Sequence, residues 1–231
     1  MREVVLDTET TGFEPEAGDR IVEIGAVELM GHVATGRHFH VYVNPERPMP
    51  EAAFAVHGLS AEFLADKPLF GAIADEFLSF VGDARLVAHN AGFDMGFINA
   101  ELERLGRPAI PPERVVDTVA IARRRFPGQK ASLDALCERF GISNAHRVKH
   151  GALLDAELLA EVYSELMGGR QSALRLEAED EAGLAGQALP AARRPQPLPP
   201  RLTPAEIEAH RAFVATLGEG AIWNRYIERE G

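Results

Sequence analysis

The apolar residues in the first 45 positions form three short runs separated by tight turns. Residues 4–6 are continuously apolar, residues 21–30 are mostly apolar, and apolar and polar side chains alternate over residues 37–43. Short apolar runs and strict alternation are both typical of β-strands. Because consecutive strands with short connections usually pair antiparallel, this part of the chain predicts a three-stranded antiparallel meander.

The next part of the chain alternates between strand-like and helix-like patterns. Two short apolar runs, at residues 86–88 and 115–116, predict further strands. Apolar residues recur every three or four positions in five longer segments, which is typical of amphipathic helices. Together these elements predict an α/β fold over residues 1–169, with a mixed five-stranded sheet flanked by helices. The predicted helices cover residues 69–81, 92–105, 118–126, 132–140 and 151–167.

The C-terminal part of the chain has a different composition. Residues 170–202 contain an acidic run, at residues 177–181, and five prolines, which predicts a flexible linker. The sequence Thr203-Pro204-Ala205-Glu206 is typical of a helix start with a capping box. Residues 203–231 would be unstable alone with this much apolar surface, so we expect them to dock on a partner. The apolar side chains expected to anchor that contact are Phe213, Leu217, Trp223 and Tyr226.

The net charge of −11 argues against binding nucleic acid through a broad basic surface. It does not exclude nucleic acid where bound metal ions supply the positive charge. Two small basic groups remain, Arg123-Arg124-Arg125 with Lys130, and Arg147 with Lys149. Each is either a solvated helix end or a phosphate contact.

The cellular setting is indicated by one cysteine and by two missing signals. Cys137 shares helical spacing with apolar neighbours, so we expect it in the core and in no internal disulfide. No run of 18 apolar residues and no signal peptide are found, so we expect no membrane segment. These features predict a cytoplasmic protein.

Two carboxylates occur close together where the first strand ends. Asp7 and Glu9 are two residues apart, so both side chains would lie on one face of that strand. Carboxylates this close repel each other unless a cation lies between them, and their hard oxygen atoms suit Mg²⁺ or Mn²⁺. The alternative is a solvated strand end before a turn.

Two further acidic residues, Asp94 and Asp155, lie near the starts of predicted helices and could complete such a site. Asp94 lies in the first turn of the helix that follows His89-Asn90, where an acid is also favoured by the helix dipole alone. His150 precedes Asp155 by five residues. The two would face one site only if His150 lies in the loop before the helix. The alternative is an ordinary loop histidine.

In this order, Asp7, Glu9, Asp94, His150 and Asp155 resemble the DnaQ-like exonucleases of the ribonuclease H-like superfamily. The histidine five positions before the last aspartate is that of the DEDDh branch. Two further blocks match the family, Val56-His57-Gly58-Leu59 and Phe126-Pro127-Gly128. The resemblance implies a ribonuclease H-like fold and a 3′→5′ exonuclease that proofreads for a replicative DNA polymerase.

The resemblance also implies a role for each site residue. Two divalent cations, Mg²⁺ or Mn²⁺, would be held by the four acidic residues, and His150 would be the general base. A glutamate that relatives often carry five positions before the motif histidine is absent, because that position is Ala52 and the glutamate is Glu51. The single-stranded 3′ end of DNA would contact Thr10, Thr11, Gly12, His57, Phe93, His89 and Asn90.

The C-terminal segment resembles the polymerase-binding extension of these proofreading exonucleases. It would bind the alpha (polymerase) subunit in a replisome at the nucleoid. Gln171, Leu174 and Leu176 loosely resemble a sliding-clamp-binding peptide. Two alternatives remain open: a free-standing exonuclease that trims RNA or short oligonucleotides, and a polymerase-stabilising adaptor without activity.

Overall fold

The computed structural model describes residues 1–144, 149–168, 202–218 and 222–223. The chain divides into two compact units, Met1–Leu176 and Glu177–Gly231. The linker predicted at residues 170–202 lies almost wholly outside the described residues. The clamp-binding peptide, with Gln171, Leu174 and Leu176, and the anchor Tyr226 also lie outside them.

The first unit contains a mixed five-stranded sheet, which confirms the predicted fold class. Its strands are ordered β3-β2-β1-β4-β5. β1, β2 and β3 pair antiparallel, whereas β4 lies parallel to β1 and β5 parallel to β4. The strands are β1 (Arg2–Thr10), β2 (Ile21–Met30), β3 (Val33–Tyr42), β4 (Arg85–Ala88) and β5 (Val115–Asp117).

The five helices predicted in the first unit are present within about two residues of their expected ends, the usual spread of such assignments. Two short helices between residues 51 and 64 were not predicted. The helices of this unit are α1 (Glu51–His57), α2 (Ala61–Leu64), α3 (Phe70–Val81), α4 (Gly92–Arg104), α5 (Thr118–Arg125), α6 (Leu133–Phe140) and α7 (Ala152–Leu166). Two 3₁₀ turns occur at Pro15–Ala17 and Pro112–Arg114.

The sheet is covered on both faces because side chains alternate along each strand. Leu6 of β1 belongs to one core cluster, with residues of α3 and α4. Val5 belongs to the other cluster, with residues of α5, α6 and α7. Cys137 is buried in this second cluster, as predicted.

The second unit contains helix α8 (Pro204–Thr216), which begins with the predicted capping box. Glu206 donates its backbone N–H to the Thr203 hydroxyl, and its carboxylate accepts a bond from the Thr203 backbone N–H. Phe213, Leu217 and Trp223 are each half exposed or more. In the part of the chain that the structure describes, no helix is both long and apolar enough to cross a bilayer.

Candidate active site

The carboxylates of β1 lie near the carboxyl end of that strand, on the face that α7 covers. Asp7 pairs with Gly25 of β2 and Glu9 pairs with Glu23. Glu9 is buried and Asp7 is partly buried. Because the two side chains are two positions apart, both lie on the same face of the strand. This placement agrees with the expectation from the sequence.

Gly25 allows the first turn of α7 to lie directly on the sheet. A Cβ atom at this position would lie 2.2 Å from the Ala152 carbonyl carbon and from the Leu153 nitrogen. No side chain larger than hydrogen has room there. Since Gly25 is opposite Asp7, this close approach brings Asp155, in the same first turn, to the carboxylates of β1.

His150 lies in the loop before α7 and is held from the side of α1. Its backbone N–H donates to the Val56 carbonyl at 3.3 Å. The ammonium of Lys149 lies 5.1 Å from the centre of the Phe54 ring. The imidazole Nδ1 is 3.4 Å from Oδ2 of Asp155, with His150 half exposed and Asp155 buried. The bend that the sequence required between these two residues is therefore present.

Three of the predicted residues form a compact group that could hold a metal ion. Glu9, His150 and Asp155 each offer one ligand atom, and these atoms all lie within 4.8 Å of one another. Asp7 and Asp94 are not members of this group. The carboxylate oxygen atoms of this group match the donor preference of Mg²⁺ and Mn²⁺. The residues present therefore suit a divalent cation.

Asp94 contacts β1 from the other face of the sheet. It is buried in the first turn of α4, and Oδ1 accepts a hydrogen bond of 2.8 Å from the Thr8 hydroxyl. Burial raises the pKa of Asp94 to about 7, although the Thr8 hydrogen bond acts in the opposite direction. A nearby cation would favour the charged carboxylate. Thr8 is a supporting residue that the sequence did not reveal.

The Thr10-Thr11-Gly12 turn, which we expect to contact the terminal nucleotide, lies at the end of β1 on its β2 side. The Thr10 hydroxyl donates to the Gly12 carbonyl at 2.6 Å, and the Thr11 N–H donates to the Arg20 carbonyl at 2.9 Å. A Cβ atom on Gly12 would lie 2.2 Å from the Asp19 carboxylate, so a larger residue here would have to displace that side chain. The turn is thus rigidly placed beside Glu9.

His57 is buried at the end of α1. Its Nδ1 accepts a hydrogen bond of 3.0 Å from the Leu59 N–H. Burial lowers the pKa of His57 and outweighs the opposite effect of the Thr10 backbone hydrogen bond, and the charges of Lys149 and His150 lower the pKa by smaller amounts. His57 is therefore neutral at pH 7. A neutral imidazole in this position can line the site and form hydrogen bonds, but it supplies no positive charge.

Phe93 lies in the first turn of α4 and contacts a second aromatic residue that the sequence analysis missed. The ring of Phe13, which directly follows the Thr-Thr-Gly turn, is 84% exposed and lies 6.4 Å from the Phe93 ring. An exposed aromatic side chain next to a predicted nucleotide site is a candidate for base stacking. Its position immediately after Gly12 was the signal that could have revealed it.

His89 and Asn90 directly follow β4 and are bonded to residues at the end of β5 and the start of α5. Nδ1 of His89 lies 2.8 Å from the Thr118 hydroxyl. Asn90 adopts a left-handed backbone conformation, with φ of 69°, and donates its N–H to the Asp117 carboxylate at 3.1 Å. These bonds fix the turn from β4 into α4, from which Phe93 and Asp94 project.

Comparison with known proteins identifies the family. Residues 4–163 match the Exonuclease family (RNase_T). The DNA polymerase III subunit epsilon of Rickettsia conorii is 57% identical over 179 residues, covering 76% of this chain and 78% of that protein. That of Rickettsia prowazekii is 48% identical over 219 residues, covering 93% of this chain and 96% of that protein.

The fold is similar to that of solved exonucleases. A structure of Exonuclease X in complex with 5′-overhanging duplex DNA has a TM-score of 0.54 and 27% identity, covering 71% of this chain and 90% of that one. The sequence similarity, the mixed sheet and the grouping of Glu9, His150 and Asp155 all agree with membership of the exonuclease family. The chain belongs to the exonuclease family and, within it, to the DnaQ-like epsilon subunits of DNA polymerase III, which are 3′→5′ proofreading exonucleases.

Proposed function

We propose that this exonuclease removes mispaired nucleotides from single-stranded 3′ ends of DNA with two divalent cations, releasing 5′-mononucleotides. The observation that carries the proposal is the group of ligand atoms from Glu9, His150 and Asp155 within 4.8 Å of one another. Hydrolysis of a phosphodiester needs cationic charge and a general base at one point. In this group Glu9 and Asp155 supply ligand atoms for a cation, and the His150 imidazole supplies the proton acceptor.

The proposed metal ligands are Asp7, Glu9, Asp94 and Asp155. The ions would be Mg²⁺ or Mn²⁺, and when bound they would offset the negative charge that develops on the phosphate oxygens. Because the buried carboxylates have little freedom to move, they would hold the metal ions at fixed positions. Thr8 supports this arrangement by fixing the orientation of the Asp94 carboxylate.

His150 is proposed to accept the proton of the attacking water. Its imidazole is half exposed, so water reaches it, and Asp155 lies 3.4 Å from Nδ1. The negative charge of Asp155 stabilises the imidazolium formed when the proton is taken. The hydrogen bond from the His150 N–H to Val56 keeps the ring at the site during this transfer.

The terminal nucleotide is proposed to lie between the Thr10-Thr11-Gly12 turn, His57 and Phe93. Backbone groups after Glu9 would contact the free 3′-hydroxyl, which explains a requirement for a chain end. The ring pair of Phe13 and Phe93 would contact the base.

The C-terminal segment is proposed to tether the exonuclease to the alpha subunit of DNA polymerase III, in the cytoplasmic replisome at the nucleoid. Residues 1–169 would form the exonuclease domain, 170–202 the linker and 203–231 the docking segment. Support comes from the exposed anchors Phe213, Leu217 and Trp223. The similarity to the Rickettsia prowazekii protein also covers 93% of this chain, so it extends into the segment. A clamp contact through Gln171, Leu174 and Leu176 is a further proposal.

The test is the degradation of 5′-labelled DNA with a mispaired or a paired 3′ end, with an RNA oligonucleotide as control. We expect stepwise loss of 3′ nucleotides that requires Mg²⁺ or Mn²⁺ and is faster on the mispaired end, because that end frays into a single strand. Preferential digestion of the RNA would instead indicate an RNA-trimming enzyme. No digestion of any substrate with either metal would contradict the proposal.

A further inference from the structure

A pocket lies on the β4 and β5 side of the sheet, beside the turn that leads from β4 into α4. It is open, has a volume of about 540 Å³, and is lined by His89 and Asn90 at one end and by Arg123, Gln129 and Lys130 at the other. His89 and Asn90 continue directly into the turn that carries Asp94. The pocket therefore lies next to the turn that carries Asp94.

The pocket and the Thr10-Thr11-Gly12 turn lie on opposite sides of β1. The Thr10-Thr11-Gly12 turn lies at the end of β1 on its β2 side. Strands β4 and β5 lie on the other side of β1. Neighbouring strands are about 4.8 Å apart, so the end of β5 lies about 10 Å from the end of β1. A nucleic acid strand whose last nucleotide lies at the Thr10-Thr11-Gly12 turn would be long enough to reach this pocket with its preceding nucleotides.

The two cationic side chains of the pocket have no structural partner in the described part of the chain. Arg123 and Lys130 are exposed and form no ion pair there. The neighbouring Arg125, by contrast, has a structural role, because it donates to the Glu165 and Leu166 carbonyls at the end of α7. Arg123 and Lys130 are thus available for a ligand.

The polar groups around the two cations favour an anion. The guanidinium of Arg139 donates to Oε1 of Gln129, which leaves the amide NH₂ group of Gln129 as a donor. The nearby carboxylate of Asp117 accepts two backbone N–H groups, those of Asn90 and Val119, which reduce its effect. Two cations and an amide donor, in a chain with a net charge of −11, form a local positive site.

We propose that Arg123 and Lys130, assisted by Gln129, bind a backbone phosphate of the substrate strand on the 5′ side of the bond to be cleaved. The inference rests on the proposed function, since it assumes a DNA strand that enters with its 3′ end at the carboxylates. Phosphate contacts of this kind position the strand without reading its sequence. They give an acidic protein a hold on DNA that does not involve the metal ions.

The experiment compares the double variant Arg123→Ala/Lys130→Ala with the wild type on two substrates. One is a single-stranded deoxythymidine decamer, and the other is the p-nitrophenyl ester of thymidine 5′-monophosphate, which has no upstream phosphate. We expect kcat/KM on the decamer to fall about tenfold more than kcat/KM on the ester, mainly through KM. The slope of log affinity for the decamer against log salt should become shallower by about 0.7.

The matched control is Arg124→Ala, which removes an exposed arginine of the same helix end that does not line the pocket. It should leave the ratio of the two kcat/KM values as in the wild type. An equal loss on both substrates, or an unchanged decamer KM, would overturn the inference while the wild type still digests DNA. Failure of the wild type itself on DNA would contradict the proposed function instead.

A remaining outcome concerns a different ligand for the same pocket. If the double variant kept wild-type kinetics on the decamer but bound a synthetic peptide of residues 175–183 more weakly, the pocket would hold an acidic protein segment. That result would overturn the assignment to DNA.

Discussion

His150 and Asp155 are joined across the start of α7, with 3.4 Å between Nδ1 of the imidazole and Oδ2 of the carboxylate. The histidine lies in the loop and the aspartate in the first helical turn, so a local bend brings together residues five positions apart. The same loop is bonded to α1 through the Val56 carbonyl. The orientation of the proposed base thus depends on two separate parts of the chain.

The first prediction concerns His150. Replacement His150→Ala should lower the exonuclease rate by about 10²–10⁴-fold, the usual contribution of a general base, while metal binding persists. Because the reaction needs an unprotonated base, removal of the imidazole should change how the rate depends on pH. The measurement is kcat on labelled single-stranded DNA from pH 5.5 to 8.5.

The control for His150 is His38→Ala, which removes an exposed histidine of β3. This variant should retain the wild-type rate and pH profile. If His150→Ala kept both as well, the base would have to be another group.

The second prediction concerns the carboxylates. Asp7→Ala and Asp155→Ala should each abolish cleavage in Mg²⁺ and leave the fold intact, since each removes a ligand from a crowded anionic site. Without metal, neither variant should unfold at a lower temperature than the wild type, because repulsion is reduced. Glu157→Gln, which neutralises an exposed acid of α7, is the control and should remain active. Turnover at the wild-type rate in either aspartate variant would contradict the two-cation assignment.

Much of the fold could be predicted because each main element carries its own local signal. Helix α3, for example, has an apolar stripe that includes Ile73 and Phe77, and both are buried. Helix α1 was missed because it lacks such a stripe. Its apolar residues Phe54 and Val56 are exposed, and only His57 is buried.

The site shows the same division between local and distant relationships. The bend between His150 and Asp155 was foreseen because it depends on six consecutive residues. The hydrogen bond from Thr8 to Asp94 joins residues 86 positions apart, and the contact of Gly25 with α7 joins residues even farther apart. No periodicity or motif encodes contacts that depend on how completed elements pack.

The third prediction concerns Thr8. Replacement Thr8→Val keeps the shape of the side chain but removes the donor to Asp94, so the carboxylate loses its fixed orientation. We expect a loss of about 10–100-fold in activity or in affinity for Mn²⁺, as is usual for partners of metal ligands. Thr8→Ser retains the hydroxyl and should recover most of the loss. Equal activity of the valine and serine variants would show that the hydrogen bond has no role in the reaction.

The fourth prediction concerns Gly25. A methyl group at this position would overlap the backbone of α7, so Gly25→Ala should displace the helix that carries Asp155. We expect the free energy of unfolding to fall by about 3 kcal/mol, from the overpacking, and the exonuclease rate to fall with it. Urea denaturation and a steady-state assay measure the two effects.

The control for Gly25 is Gly96→Ala in α4, where a Cβ atom would find only Pro15 Cγ, at 4.0 Å. Alanine is more favourable than glycine inside a helix, so the free energy of unfolding of this variant should rise by up to about 1 kcal/mol. If Gly25→Ala were as stable and active as Gly96→Ala, the close approach of α7 to β2 would not be required.

The fifth prediction concerns the C-terminal segment. A protein ending at Leu176 retains the whole first unit and every proposed site residue, so it should digest DNA at nearly the full rate. It should lose binding to the polymerase subunit, because Phe213, Leu217 and Trp223 are removed. In the full chain, Trp223→Ala should weaken that association by about 2 kcal/mol, as central tryptophans of interfaces often do. Glu208→Ala, an exposed polar position of α8, should have little effect. Pull-down and titration with the purified polymerase subunit distinguish the cases, since full binding by residues 1–176 would place the contact on the exonuclease domain.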